Sequence, residues 1–164
     1  MTIYSYSPPR GNTAAKILTY TLTGAALIFM VAGSLFPDYD PILKTVAFAL
    51  MMAAVLVCTR YLLLGYTYSI ESGETGAPDL VIVENKGKVN RTVCRVSIAG
   101  GKLYRSLESV KIPSGKRYDY RTGLAPTDGC VFRVPERDGG DYVLFCPDER
   151  LTELMISLGA VTEE

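Results

Sequence analysis

The sequence contains no histidine and no tryptophan, and its four cysteines are far apart. Without histidine, neither a Ser-His-Asp triad nor a Cys-His pair can form. No two cysteines form a C-x-x-C pair, and Cys58 lies in an apolar stretch, which argues against a zinc site. The composition therefore predicts no metal, no cofactor and no enzymatic activity. We expect reduced, buried thiols that act as small hydrophobic groups at Cys58, Cys94, Cys130 and Cys146.

Charge is absent from one long segment and nearly absent from a second. Residues 17–36 contain no charged side chain, and residues 45–66 contain only Arg60. A helix of about 20 residues spans about 30 Å, the thickness of a bilayer's hydrocarbon core. Prolines and aspartates between the segments reverse the chain. We predict a transmembrane hairpin over residues 17–66, preceded by an N-terminal tail (residues 1–16). A cleaved signal peptide is the alternative for the first segment, but its apolar run is long and no A-x-A site follows.

Basic residues near the predicted spans indicate their orientation. Arg10 and Lys16 precede the first span, and Arg60 lies near the end of the second. The intervening loop instead carries Asp38 and Asp40, with a single lysine. This distribution predicts a two-pass protein of the inner or plasma membrane with both termini in the cytoplasm.

Arg60 is the one charged residue inside a predicted span, which makes it a functional candidate. It lies close enough to the end of the span for its guanidinium to reach the headgroup layer. Tyr61 and Tyr66 belong to a residue type that is enriched at membrane interfaces. We therefore predict that Arg60, Tyr61 and Tyr66 anchor the hairpin at the interface. Transport is the other interpretation of an intramembrane charge, and it would require an oligomer, because two helices cannot enclose a pore.

Small residues occur on both predicted helices and allow two helix backbones to approach closely in lipid. This pattern fits an intramolecular hairpin and a dimer equally well. The second helix carries Ala49 and Ala53, four residues apart, and the first carries Ala25, Ala26, Ala32 and Gly33.

After Tyr66 the pattern changes to short β-branched runs separated by turn residues. Residues 84–88 and 137–141 have the composition of hairpin turns. Regular turns of this kind predict an antiparallel barrel or sandwich over residues 67–164. About seven strands are expected, at residues 66–70, 80–83, 91–98, 103–110, 117–121, 130–134 and 142–146.

One amphipathic helix is predicted after the last strand. Pro147, Asp148 and Glu149 suit the first turn of a helix, and Gly159 suits its end. The apolar stripe of this helix must be buried, and the open end of a barrel is the expected place. The stripe follows the i, i+3, i+4, i+7 pattern, with Leu151, Leu154, Met155 and Leu158.

Antiparallel strands followed directly by one helix resemble a pleckstrin-homology (PH) fold. Residues 130–159, CVFRVPERDGGDYVLFCPDERLTELMISLG, are similar to the final hairpin and helix of bacterial PH-like domains. Such domains often follow a pair of transmembrane helices in small membrane proteins. Eukaryotic PH domains usually carry a tryptophan in this helix, and this chain has none. A five-stranded OB barrel behind membrane helices is the competing fold, but its helix usually lies between strands.

Cations are concentrated in residues 86–121, with ten Lys and Arg against two acids. A basic surface of a tethered domain is attracted to anionic lipids. The resemblance to PH domains makes Lys86, Lys88 and Arg91 the candidate contacts for lipid headgroups. Lysines at a hairpin tip also protect a solvated edge from aggregation, which is the alternative interpretation.

The leading hypothesis is a non-enzymatic, membrane-anchored binding or scaffolding module that presents a PH-like domain at the cytoplasmic membrane face. Its partner besides the lipid bilayer would be another protein or a second copy, bound through an exposed edge strand. An anionic-lipid or membrane-charge sensor is the alternative, and a subunit of an oligomeric transporter or channel is the second alternative. The net charge of zero gives no reason to expect nucleic acid as a partner.

Overall fold

The computed structural model describes residues 1–9, 13–73, 76–107, 110–113, 116–122, 129–136 and 140–163 of the chain. Two long apolar helices form one part, and two β-sheets with a short helix form the other. The helices are α1 (Thr13–Leu35), α2 (Asp40–Val57) and α3 (Glu149–Ser157). The strands are β1 (Thr2–Tyr6), β2 (Leu64–Ser72), β3 (Pro78–Lys86), β4 (Val89–Ser97), β5 (Lys102–Tyr104), β6 (Arg117–Asp119), β7 (Cys130–Arg133), β8 (Tyr142–Phe145) and β9 (Val161–Glu163).

The helices α1 and α2 pack against each other as a hairpin, joined by a 3-10 turn at Pro37–Tyr39. The first apolar segment has 23 residues and the second, Pro37–Leu62, has 26, so both are long enough to cross a bilayer. Large apolar side chains on their outer surfaces are exposed, as at Ile28 (70%) and Phe48 (69%). This confirms two helices with the length and composition of membrane spans.

The second helix begins at Asp40, earlier than the predicted start at residue 45. Proline is compatible with the first turn of a helix, so Pro41 does not interrupt this one. The Asp40 carboxylate also suits the positive end of the helix dipole, and it accepts a hydrogen bond from Lys44 one turn later at 2.9 Å.

Small residues separate the two helices, but they are only partly the predicted ones. Ala26 and Gly33 of α1 and Ala47 and Ala54 of α2 are buried, whereas Ala49 is exposed. Ala49 therefore does not contribute to the intramolecular interface, and its part in a dimer stays a prediction. A spacing of seven residues returns to nearly the same face of a helix after two turns, and both buried pairs have that spacing.

The hydroxyl groups within the helices are satisfied internally. Thr19, Thr21 and Thr23 each donate a hydrogen bond to the backbone carbonyl four residues earlier, at 2.8–2.9 Å. Thr45 and Thr59 make the same contact in the second apolar segment. Such bonds allow a threonine to face lipid without leaving its hydroxyl unpaired.

Each of the seven predicted strand segments contains a strand, and β1 and β9 are additional. One sheet has the order β1-β2-β3-β4 and is antiparallel; the other has the order β6-β8-β7-β5-β9. The pairs β5–β9 and β6–β8 are parallel, so the prediction of a wholly antiparallel domain is wrong. Strand β5 ends at residue 104; residues 108–109 of the predicted strand and residues 137–139 of the predicted turn lie outside the described residues.

The two sheets are not closed into a barrel, which corrects the barrel prediction. Strands β4 and β6 are edges of different sheets and share no backbone ladder. The register of β4 shifts near Val93, which is opposite no residue of β3. A bulge of this kind bends a strand and interrupts the regular edge that β6 would need for pairing. Across the seam, the Tyr120 hydroxyl donates a hydrogen bond to the Val93 carbonyl at 3.3 Å.

Both sheets contribute to the larger of two hydrophobic clusters, which α3 covers; the smaller contains Tyr104, Val131 and Leu144 of the five-stranded sheet. The helix is confirmed close to its predicted bounds. Leu151 and Met155 are fully buried, and Asp148 accepts a hydrogen bond from the Leu151 amide at 3.0 Å as the N-cap. Because there is no barrel end, α3 lies against the core and also contacts β1. The Tyr4 hydroxyl donates to Asp148 at 2.5 Å, and Arg150 lies 5.1 Å from the centre of the Tyr4 ring.

The predicted N-terminal tail contains β1, which pairs with β2 and places Tyr6 opposite Tyr68. Strand β1 precedes α1 and β2 follows α2, so both strands leave the helix hairpin at the same end. In a membrane spanned by both helices, β1 and the β domain therefore lie on the same side. The cytoplasmic placement stays a prediction, and Arg10, one of its reasons, lies outside the described residues.

Candidate functional site at the membrane junction

The second apolar helix runs into the β domain with almost no linker. Its last turn, Cys58–Leu62, is a π-helical turn, and the Leu63 amide donates to the Cys58 carbonyl at 3.0 Å. Strand β2 begins at the next residue, Leu64. A π-helical turn inserts one extra residue into a helix and frequently marks a functional site. Here it carries Arg60, the charge predicted to lie at the end of the span.

Strand register places the basic hairpin tip at this junction. Leu64 is opposite Lys86 in β3, and Lys86 is opposite Val89 in β4. Gly87 and Lys88 form the intervening turn, and Gly87 has a φ of +64°, which glycine adopts without strain. The β3–β4 turn is therefore at the end of the sheet that is next to the second apolar helix. Val89 is 68% exposed there.

A cleft opens between the end of the second apolar helix and β3, and we call it the junction cleft. Its volume is about 420 Å³. One wall is apolar and belongs to the helix, whereas the rim carries two cations and one acid. The residues that line it are Leu56, Val57, Thr59, Arg60, Tyr61, Leu64, Glu84 and Lys86.

A second, smaller cleft of about 170 Å³ shares Arg60, Tyr61 and Leu64 with the first, and we call it the polar cleft. Its far side contains Asp119 and Arg121. Arg121 donates two hydrogen bonds to the Asp119 carboxylate, at 2.9 and 2.7 Å, and the Arg121 side chain is only 6% exposed.

The charge of Asp119 is maintained by these contacts. Burial by itself would raise the pKa of Asp119, but the hydrogen bonds from Arg121 and Arg117 outweigh it and hold the pKa below its usual value. The polar cleft therefore contains a stable carboxylate–guanidinium pair.

Tyr66 occupies the polar cleft from the core side. Its ring is 8% exposed and packs edge-on against Tyr120, with 5.6 Å between the ring centres. Burial raises the pKa of Tyr66; Glu84 and Asp119 raise it further, and Arg60 lowers it. Charged residues of both clefts therefore act on the Tyr66 phenol.

The structure brings together residues that the sequence suggested for two different roles. Arg60 and Tyr61, the predicted anchors, share the junction cleft with Lys86, a predicted lipid contact. Lys88 and Arg91 are exposed on the neighbouring turn and strand and line neither cleft.

Sequence reasoning missed Glu84, Asp119 and Arg121. The position of Glu84 opposite Tyr66 follows from the β2–β3 register, which could have been built from the hairpin turn. No local signal places Asp119 and Arg121 at the junction, since β6 reaches it through parallel pairing with β8.

The cysteines do not take part in this site. All four are half-buried and none forms a disulfide. Burial raises the pKa of Cys94 to about 11 and also raises the pKa of Cys130, which suppresses their thiolate forms. Among the described residues, no group of three or more Cys, Asp or Glu side chains is arranged to hold a metal ion.

Comparison with protein-family models, curated proteins and solved structures finds no match to this chain, so the resemblance to PH-like domains has no support from homologues.

Proposed function

We propose that the protein is a non-enzymatic binding module whose β domain is held against the cytoplasmic face of the membrane by a two-helix hairpin. The observation that carries the proposal is the continuity from α2 through the π-helical turn into β2, with β1 paired beside β2. Two chain segments connect the hairpin to one sheet, so the domain is oriented rather than loosely tethered.

A PH-like domain is part of this proposal. It is supported by strands that lead into one C-terminal helix packed over the core. The open seam between the sheets and the two parallel strand pairs depart from the PH pattern.

The first test uses the absence of tryptophan, because a single introduced tryptophan then gives the only indole fluorescence. Val89→Trp places it at the β3–β4 tip, and Ser72→Trp places it at the other end of β2, about 26 Å along the strand from Leu64. In nanodiscs with lipids brominated near the headgroup, we expect quenching of the Val89→Trp protein only. Equal fluorescence with and without bromine in both variants would overturn the orientation.

The binding surface that we propose for a protein partner is the groove between the edge strands β4 and β6, which we call the seam groove. It has a volume of about 250 Å³ and is mostly apolar, with Val93, Val96, Tyr118, Tyr120 and Val143 among its lining residues. Its occupant would be an extended peptide segment, because β6 is an edge strand without a bulge and offers unpaired backbone groups that another extended backbone satisfies in register.

A random peptide library, selected on the full chain in nanodiscs, tests the seam groove. We expect selected peptides to alternate apolar and polar residues, and their binding to be lost on Tyr118→Lys. Val161→Lys is the matched control, since Val161 is 53% exposed on β9, at the opposite edge of the same sheet. Selection of no peptide above empty nanodiscs, or equal loss in both variants, would refute binding at the groove.

Contact with anionic lipid is the second candidate function, and strand register favours it. Lys86 and Lys88 lie at the membrane end of the sheet, and Arg91 follows on the same hairpin. Each basic residue near an anionic surface contributes about 1 kcal/mol at moderate salt. Quenching of Val89→Trp should therefore increase with the anionic lipid fraction and weaken as salt is raised. No dependence on anionic lipid would refute this second function while leaving the first intact.

A further inference from the structure

We propose that the junction cleft is a binding site for one monoanionic glycerophospholipid. In this arrangement Arg60 and Lys86 hold the phosphate, and the apolar wall of the helix holds the upper part of an acyl chain. The proposal rests on the proposed placement of the domain at the membrane. It differs from the second candidate function because it names a discrete site, whereas that function requires only a diffuse basic surface.

The cations of the junction cleft are available for a ligand. Neither Arg60 nor Lys86 forms an ion pair or a side-chain hydrogen bond with any other described residue. Arg95, Arg117 and Arg121, by contrast, are each paired with a carboxylate. A guanidinium and an ammonium group that face one cleft match the oxygens of a phosphate.

The apolar wall selects a lipid over a soluble phosphate. Leu56 and Val57 lie in the last turns of the second apolar helix and precede Arg60 in the sequence. They are therefore farther from the β domain than Arg60, on the side of the membrane. Leu56 is 64% exposed, so the wall remains uncovered by the protein itself. A ligand with a phosphate at the rim and a hydrocarbon chain beneath it satisfies both parts of the cleft, and the surrounding bilayer supplies such a ligand.

The charge of the cleft selects the class of phosphate. Glu84 lies on the same rim as Arg60 and Lys86, so the formal charge of the lining residues is one positive unit. A phosphodiester with a single negative charge balances it, whereas a phosphomonoester with nearly two charges would bring the second close to Glu84. A zwitterionic lipid has no net charge and would leave the positive unit of the lining unbalanced.

The test is native mass spectrometry of the full chain released from nanodiscs that contain phosphatidylglycerol and phosphatidylcholine. We expect one phosphatidylglycerol to be retained per chain. Arg60→Gln and Lys86→Gln should each reduce its retention about fivefold, as expected for the loss of one cation near the headgroup. Glu84→Gln should increase retention, and this opposite sign would not result from general damage to the fold.

Lys88→Gln is the matched control, because it removes the same charge two residues beyond the cleft-lining Lys86, and Lys88 lines neither cleft. It should leave retention unchanged. An equal loss with Lys88→Gln would overturn the discrete site in favour of diffuse attraction. Displacement of the lipid by glycerophosphoglycerol, the same phosphodiester headgroup without acyl chains, would show that the apolar wall contributes nothing, and would also overturn it.

Retention of no lipid by the unmodified chain would refute the junction site, but quenching of Val89→Trp would still report the membrane placement. The two proposals therefore fail separately.

Discussion

The hydroxyl of Tyr68 donates a hydrogen bond to the backbone carbonyl of Tyr120, with 2.8 Å between the two oxygens. Tyr68 belongs to the four-stranded sheet and is fully buried, whereas Tyr120 directly follows β6 of the other sheet. Because the sheets share no backbone ladder, side-chain bonds of this kind fix their relative position. The same tyrosine at position 120 also reaches β4 through its own hydroxyl.

Replacing Tyr68 by phenylalanine should lower the free energy of unfolding by about 1–2 kcal/mol, because the Tyr120 carbonyl then loses a buried partner. The measurement is the denaturant midpoint of the full chain in detergent micelles. Tyr118→Phe is the control, since Tyr118 is 47% exposed. Equal destabilisation by the two substitutions would contradict a specific role for the Tyr68 hydroxyl.

Alkaline pH should loosen the seam between the sheets. Burial raises the pKa of Tyr120 to about 12, above the value near 10 expected in the unfolded chain. The folded state therefore retains the phenolic proton to higher pH, so stability is fully present below about pH 10 and falls as the pH rises toward 12. Tyr120→Phe should flatten this part of the stability–pH curve. The measurement is hydrogen exchange in β4 between about pH 9 and 11, corrected for intrinsic rates. If the exchange rate rose with pH equally steeply in Tyr120→Phe, ionisation of Tyr120 would not be the cause of the loosening.

Strands with local signals were predictable, and strands held only by distant partners were not. The β3–β4 hairpin is defined by β-branched runs on either side of a glycine turn. It formed where it was predicted, but its turn is only Gly87 and Lys88, because residues 84–86 continue β3. Strand β1 has five residues, and its partner, β2, comes after both apolar helices in the sequence. Its pairing depends on the hairpin returning the chain to its starting point. Strand β9 likewise depends on parallel pairing with β5, which no local pattern indicates.

The end of the second helix was placed too late because hydropathy does not separate an apolar helix from a buried strand. Residues 64–66 are apolar and were assigned to the span, yet they begin β2. The earlier start of β2 determines which residues line the junction cleft. Once β2 starts at Leu64, hairpin register puts Lys86 beside the helix end, and Arg60 and Lys86 meet in one cleft. Their separate signals, an intramembrane charge and a basic turn, gave the residues but not their proximity.

The cap of α3 should stabilise both the helix and β1. Asp148 accepts hydrogen bonds from the Leu151 amide and from the Tyr4 hydroxyl. Asp148→Ala should therefore lower the free energy of unfolding by about 1–2 kcal/mol and increase hydrogen exchange in β1 as well as in the first turn of α3. Glu149→Ala is the matched control, because it removes an exposed acid from the same turn without removing the cap.

Tyr4→Phe separates the two effects of Asp148. It removes only the link to β1, so exchange should increase in β1 and not in α3. If Asp148→Ala left exchange in β1 unchanged while it loosened α3, the Tyr4 hydrogen bond would have no part in holding the N-terminal strand.

The close approach of the two apolar helices should depend on Gly33. A Cβ atom at this position would lie 3.0 Å from an Asp40 carboxylate oxygen and 3.5 Å from the Leu43 Cβ, near the turn of the hairpin. Gly24, on the same helix, has no atom within 4 Å of an added Cβ and serves as the matched control. Gly33→Leu should push α1 away from α2 and destabilise the hairpin by about 1–3 kcal/mol, whereas Gly24→Leu should be tolerated.

Spin labels at Leu35 and Ile42 measure this separation, since both side chains are exposed, at 69% and 64%, and flank the turn. The native cysteines are first replaced by serine so that only the two labels react. We expect the distance distribution in nanodiscs to broaden and lengthen in Gly33→Leu and to stay the same in Gly24→Leu. If both distributions stayed unchanged, the packing of α1 against α2 would not require a small residue near the turn. The burial of these small residues would then be a consequence of the hairpin rather than its cause.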